Sequence, residues 1–353
     1  MKGMKSMKIR KEHCRAFCSF MSFMLFMVPY PLHPPAEPRE NRASEEATSR
    51  ASPRANLALT APIPYPKPYS ARLLKVISSI SAVRRLVHLA KSPVVLVPTM
   101  GALHRGHAAL IDRARSLAGP RGTVVVSIFV NPTQFGPKED FSRYPRPFAA
   151  DRHLCTAHGA DILFHPTAAQ MYPDGFSTFV EEITVSSLLC GASRPGHFRG
   201  VCTVVLKLFQ IIQPQIAVFG LKDFQQCAVI RRMVRDLDLS IKIVAAETVR
   251  EPDGLALSSR NQYLSPGERR QAPILQSALL AAKKAWRDGE TNPSRLRQLI
   301  VKKIRTASLA RIDYVELAHA TTLQPVPQAD RHTVIALAVF FGQTRLIDNL
   351  LLR

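Results

Sequence analysis

The sequence predicts an α/β protein: a parallel sheet with helices on both faces, followed by a smaller C-terminal α+β domain. Short apolar runs rich in Val and Ile alternate with stretches of helical periodicity over residues 72–248. Those runs show almost no in-out alternation, as expected of strands buried on both faces. Beyond residue 248 the texture changes to a loop with Gly and Pro, two helical stretches and two late strand-like runs. The length, 353 residues, suits two domains at roughly 150 residues each. With 46% hydrophobic and 21% charged residues, disorder over the whole length is excluded.

Strands are expected at 94–97, 123–130 (TVVVSIFV), 161–164, 216–219 and 241–246. A helix at 108–117 follows the first strand, and helices at 151–158, 203–212 and 225–236 precede the third, fourth and fifth. That alternation builds a Rossmann-like sheet, which places ligands at the carboxyl ends of its strands. The second domain, 249–353, opens on a loop holding Pro252, Gly254, Pro266 and Gly267, with helices expected at 271–287 and 294–308 and strands at 312–317 and 333–339.

The first 71 residues differ from the rest. They hold 10 of the 27 prolines and a Ser/Arg/Glu-rich stretch with little to bury, so a disordered extension is expected there. Lys2, Lys5, Lys8, Arg10, Lys11 and Arg15 precede an apolar run at 16–30, which copies the layout of a targeting segment and is too short for a comfortable membrane span. Two readings stay open: a cytoplasmic enzyme with a dispensable extension, or one directed to an organelle through residues 1–30.

The net charge is +22, from 48 Lys and Arg against 26 Asp and Glu. Nucleic acid is therefore a natural partner to consider, but the basic residues are scattered and no aromatic-rich RNA-binding motif accompanies them, which argues against a specific nucleic-acid protein. Cys14, Cys18, Cys155, Cys190, Cys202 and Cys227 form no C-x-x-C pair, so a metal–sulfur site is not expected and free thiols in a reducing compartment are.

The residues that carry chemistry cluster at predicted strand ends. After the first strand comes Met100-Gly101-Ala102-Leu103-His104-Arg105-Gly106-His107. A strand running into a helix offers backbone N–H groups and a helix dipole to an anion. His104 and His107, three apart, fall on one face of the first turn and can both donate to a phosphate chain, with Gly106 leaving room for a nucleotide. After the second strand, Asn131 and Gln134 supply amides suited to a neutral polyol or a carboxylate. After the fourth, Gly220-Leu221-Lys222-Asp223 and Gln226 supply a phosphate-binding charge, a ribose partner and a further amide. Far downstream, Leu257-Ser258-Ser259-Arg260 on a Gly-containing loop can clamp β- and γ-phosphates, with Arg260 bidentate.

Taken together, V-P-T-M-G-A-L-H-x-G-H, S-I-F-V-N-P-x-Q-F, R-P-x-H-F-x-G-V-x-T-V-V-L-K-L, F-G-x-K-D-x-Q-Q and D-G-L-A-x-S-S-R-N-x-Y-L, with a closing T-R-L-I-D-N at 344–349, resemble the pantothenate synthetase family of the nucleotidylyltransferase superfamily. The resemblance implies an ATP-dependent condensation of pantoate with β-alanine through pantoyl adenylate, with release of AMP and pyrophosphate. It implies that Met100 to His107, Gly220 to Asp223, Val249 and Leu257 to Arg260 contact ATP. His107 is then the active-site acid, His104 a stabiliser of phosphate charge, and Lys222 and Arg260 catalytic cations. Gln134, Gln226 and Asn131 fall to the pantoate and β-alanine side, flanked by Arg194 and His197. A homodimer and a Mg²⁺ requirement are also implied. The family's acidic cluster after Tyr144-Pro145-Arg146 is reduced here to Asp151, behind Ala149 and Ala150, so Asp151 is the one metal candidate and the ion would rest mainly on ATP phosphates and water. Leu221 and Leu257 replace the family's usual Glu and Met. Another nucleotidylyltransferase is the competing reading; the amide set Asn131, Gln134 and Gln226 has no evident use for a phosphorylated acceptor.

Overall fold

Six strands form one parallel sheet: β1 (Lys75–Ile77), β2 (Val94–Thr99), β3 (Thr123–Ile128), β4 (Ile162–Phe164), β5 (Ile216–Gly220) and β6 (Lys242–Ala246). Their order is β1-β4-β3-β2-β5-β6, every neighbouring pair parallel. From β2 the chain builds outward through β3 and β4, then crosses back to lay β5 and β6 on the other side. The direction of winding thus reverses between β2 and β5, and the crevice at their carboxyl ends is where such a sheet receives ligands. The computed structural model describes residues 73–353 except Lys138; the expected extension and targeting segment lie outside the described residues.

Side-chain alternation explains why the strand sequences show no polar face. Leu96, Val125, Phe164 and Ala217 face a helix-covered core containing Val201, Val205, Leu208 and Ile212. Val95, Val97, Val124, Val126, Leu163 and Val218 face the opposite core with Ile111 and Ala114. Each such aliphatic side chain contributes about 1.5–3 kcal/mol on burial. The covering helices are α1 (Ile80–His88), α2 (Arg105–Ala118), α3 (Phe148–Ala157), the short α4 (Ala168–Met171) and α5 (Cys190–Ser193), then α6 (His197–Ile212) and α7 (Phe224–Asp236).

The C-terminal region adds α8 (Pro266–Gln271), α9 (Ile274–Arg287) and α10 (Pro293–Ile304), then β7 (Ala310–His319), β8 (Thr333–Phe341) and β9 (Thr344–Leu351). These strands form an antiparallel sheet in the order β7-β8-β9. Leu275, Leu279, Leu296 and Ile300 pack on Ile335, Leu337 and Val339 to make its core. All described residues lie in one compact unit. Among them, no helix is long and apolar enough to cross a membrane.

Several elements depart from the sequence expectations. The helix expected at 271–287 begins at Ile274, and a separate short helix, α8, stands in the expected loop before it. Ser265 and Glu268 form a capping box that starts α8, and Pro273 sits at the cap of α9, where its missing N–H costs nothing. The helix expected at 294–308 ends at Ile304, the one expected at 203–212 begins at His197, and the strand expected at 123–130 ends at Ile128. Strands β1 and β9 and helix α1 were not expected. β1 is a three-residue edge strand with little to bury. In β9 the buried face includes Thr344 and Asp348, which hides the apolar alternation. Cys155, Cys190, Cys202 and Cys227 are free thiols and buried.

Candidate active site

The turn leaving β2 is fixed from below. Asp151, buried in α3, accepts from the Ala102 N–H at 2.9 Å and the Leu103 N–H at 2.7 Å. Each carboxylate oxygen accepts one backbone N–H, so Asp151 braces the turn. The expected metal candidate is buried beneath that turn and lines neither cavity of the site. Among the described residues, no group of three or more His, Cys, Asp or Glu side chains could hold a metal ion.

The start of α2 is also closed on itself. His104 is the N-cap, and its Nδ1 accepts from the Gly106 N–H at 3.1 Å; His107 Nδ1 accepts from the His104 N–H at 3.2 Å. A Cβ on Gly106 would lie 2.9 Å from the His104 ring. Its glycine therefore makes room for the capping imidazole, a use different from the expected approach of a nucleotide. With the Ala102 and Leu103 amides spent on Asp151, anion recognition falls to side chains instead of the backbone amides that the sequence suggested.

Those side chains are well prepared. Because each Nδ1 accepts a hydrogen bond, each neutral ring carries its proton on Nε2 and is a donor there. The two rings lie 4.1 Å apart, centroid to centroid. Burial first, then the nearby Lys222 ammonium, pushes His104 from 6.5 down to about 4. Burial, then His104 and Lys222, pushes His107 from 6.5 down to about 3. Both are therefore uncharged Nε2–H donors at neutral pH.

A stability test follows. The unfolded chain takes up protons at these histidines as pH falls below 6.5, whereas the fold resists until about 4 at His104 and about 3 at His107. More protons bind the unfolded state across that window, so stability falls with falling pH. The thermal midpoint is expected to drop between about pH 7 and pH 5, and His107→Ala to make that drop shallower. An unchanged slope in the variant would contradict the assignment.

Opposite the histidines, across the switch point, β5 ends in the 3-10 turn Leu221–Asp223. Lys222 Nζ lies 3.8 Å from Asp223 Oδ1, and both line a cavity of about 230 Å³ with Met100, His104, His107, Gln134 and Gln226. A larger cleft of about 780 Å³ adjoins it and shares Arg194, His197, Lys222, Gln226 and Arg260.

Amides that look alike in the sequence separate here. Gln225 is buried and spent on Cys190, Val185 and Leu188 of the neighbouring backbone, while Gln226 lines both cavities. Asn131, buried, donates to Gln134 Oε1 at 3.0 Å and to the Gly200 carbonyl at 3.1 Å, and its oxygen accepts from Tyr172 at 2.8 Å. Asn131, expected on the substrate side, lines the smaller cavity with its amide already bonded to the scaffold. It turns the Gln134 Nε2 outward toward Met100 Sδ, 3.0 Å away. Beneath Gln134, its carbonyl accepts from His197 Nδ1 at 2.8 Å, and His197 Nε2 accepts from Arg194. Burial, then Arg194, holds His197 near 4.

The downstream loop reaches the same place. Val249, Leu257, Ser258, Ser259 and Arg260 all line the smaller cavity. Ser258 caps the 3-10 turn Ser259–Tyr263, Ser259 Oγ lies 3.3 Å from Tyr144 Oη, and Arg260 is held in a fork by Asp140 at 3.0 and 3.1 Å. Asp140 and its neighbour Glu139, which holds Arg194 in a second fork at 2.6 Å, were not anticipated from sequence. Arg105 is exposed and pairs with Glu251 at 2.6 Å. Gly101, Ala102, Leu103, Arg105 and Leu221, also expected at the ATP site, do not line this cavity; Leu221 packs against the main core.

A parallel sheet with two imidazole donors, a lysine and an arginine-bearing loop converging at its switch point defines an α/β enzyme for an anionic, phosphate-bearing substrate. A family profile described as Pantoate-beta-alanine ligase matches residues 74–351, and the chain belongs to that family. It is 49% identical over 282 residues to the pantothenate synthetase of Thermotoga petrophila, covering 79% of this chain and 100% of that protein. The crystal structure of pantothenate synthetase from Thermus thermophilus superposes with a TM-score of 0.75 at 45% identity, covering 79% of this chain and 99% of that one. The Francisella tularensis pantoate-beta-alanine ligase, complexed with beta-gamma ATP and beta-alanine, gives a TM-score of 0.65 at 33% identity, with 79% and 98% covered.

Proposed function

We propose that this enzyme joins pantoate to β-alanine at the expense of ATP, in two steps at the β2/β5 crevice. A pantoate carboxylate oxygen attacks the α-phosphorus of ATP; an O–P bond forms and pyrophosphate leaves. The β-alanine amine then attacks the acyl carbon, an amide forms, AMP leaves and the amine loses a proton. The observation that carries this reading is the pair of neutral Nε2–H donors facing Lys222 in one cavity with two outward amides, Gln134 and Gln226.

The roles follow from the geometry. His107 and His104 donate to the α-phosphate oxygens as charge grows on them, and Lys222 and Arg260 neutralise the departing pyrophosphate; preorganised donors of this kind are the largest single source of rate in such sites. Gln134 and Gln226 orient pantoate. Arg194 and His197, bonded to each other behind Gln134 with Arg194 held by Glu139, keep the Gln134 backbone in place for that role, on the wall shared with the larger cleft that leaves room for β-alanine. In this reading residues 72–248 hold ATP and pantoate, and 249–353 bring the phosphate loop over them, excluding water from the acyl adenylate. The test is incubation with ATP, pantoate and β-alanine. Continuous AMP release is expected only when both pantoate and β-alanine are present, with pyrophosphate already released once per enzyme by pantoate alone; AMP release independent of either would overturn the reading.

A further inference from the structure

The closing motif at 344–349 is not used by the chemistry above, yet β9 reaches both halves of the phosphate site. Asn349 sends its side-chain Nδ2 to two carbonyls, Leu221 at 2.8 Å and Lys222 at 2.9 Å. Both partners can only accept, which fixes the amide's orientation. Its neighbour Asp348, buried, takes Arg250 in a fork at 2.7 and 2.8 Å. Arg250 also donates to the Gly254 carbonyl at 3.1 Å, and the chain on either side pairs back on itself, with the Leu257 N–H bonded to the Val249 carbonyl at 3.0 Å.

The turn that Asn349 holds has little local support beyond the Cys227 thiol on the Gly220 carbonyl at 3.4 Å. No side chain caps the 3-10 turn Leu221–Asp223, and none caps α7 directly after it. A three-residue 3-10 turn has few internal hydrogen bonds of its own, so the two bonds from Asn349 set where the Lys222 backbone sits.

We propose that Asn349 is a positioning residue for Lys222, acting from the terminal strand, while Asp348 anchors the start of the phosphate loop through Arg250. Two consecutive residues of β9 thereby fix the spacing between the lysine at the end of β5 and the loop that carries Arg260. The inference rests on the reading of Lys222 as a phosphate-binding group.

The test is a double-mutant cycle on the full chain, read by pantoate-dependent exchange of labelled pyrophosphate into ATP. Lys222→Met is expected to lower the exchange kcat by about a hundredfold or more. Asn349→Ala is expected to lower it by about tenfold, with the KM for pantoate unchanged, because a misplaced group costs turnover more than binding. The decisive expectation is that the double variant is no slower than Lys222→Met alone, since coupled residues do not add. Additive losses, or an unaffected Asn349→Ala, would overturn the positioning role and leave the Lys222 reading intact. A fully active Lys222→Met would instead overturn that reading, and the inference with it. If Asn349→Ala fails to fold, Asn349→Asp keeps the shape, removes both donors, and is held to the same comparison.

Discussion

His107→Ala is expected to lower adenylate formation by about a hundred- to a thousandfold while the protein still unfolds cooperatively. The size follows from where the site keeps its donors. The Ala102 and Leu103 amides are bound to Asp151, and the Gly106 N–H is bound to His104. Those three amides are therefore not free to replace a lost imidazole. Truncation also removes the acceptor of the His104 N–H, so some loosening of the helix start accompanies the loss. Single-turnover measurement of pantoate-dependent pyrophosphate release separates the two effects: a folded variant with near wild-type turnover would show that His107 does not touch the reacting phosphate.

Gly200→Ala is the second change with a large expected effect, although residue 200 contacts no substrate. A Cβ there would lie 2.4 Å from the Thr133 carbonyl oxygen, 2.6 Å from its carbon and 2.7 Å from the Gln134 nitrogen. All three are backbone atoms and cannot swing aside. The 3-10 turn Pro132–Gln134 must move or α6 must shift. Overpacking of this kind costs about 1–3 kcal/mol, occasionally more. Moving Gln134 by about 1 Å is expected to cost around a hundredfold in kcat/KM for pantoate. Thermal unfolding and steady-state kinetics check both parts; wild-type values in each would contradict the close contact and the orienting role of Gln134.

The parallel sheet was legible because its strands are buried on both faces, and the histidines, Lys222 and Gln226 because each sits at or just after a strand end. What escaped the sequence is mostly long-range pairing. Its place in the family's acidic cluster makes Asp151 a metal candidate, but that place does not show that it lies beneath the Ala102 and Leu103 amides, 49 and 48 residues away. The Asp140–Arg260 fork spans 120 residues, and the Asn349 bonds to the β5 turn span 127 and 128. Asn131 and Gln134 were indistinguishable as amides until the fold saturated one and turned the other outward. β9 was hidden for a related reason: its inward Asp348 satisfies Arg250 instead of filling a core.

Formation of an adenylate before the amine arrives is measured most directly by exchange of radiolabelled pyrophosphate into ATP with pantoate present and β-alanine absent. The expected result is exchange that requires pantoate and proceeds without β-alanine. Exchange that requires β-alanine, or that runs equally well without pantoate, would contradict it.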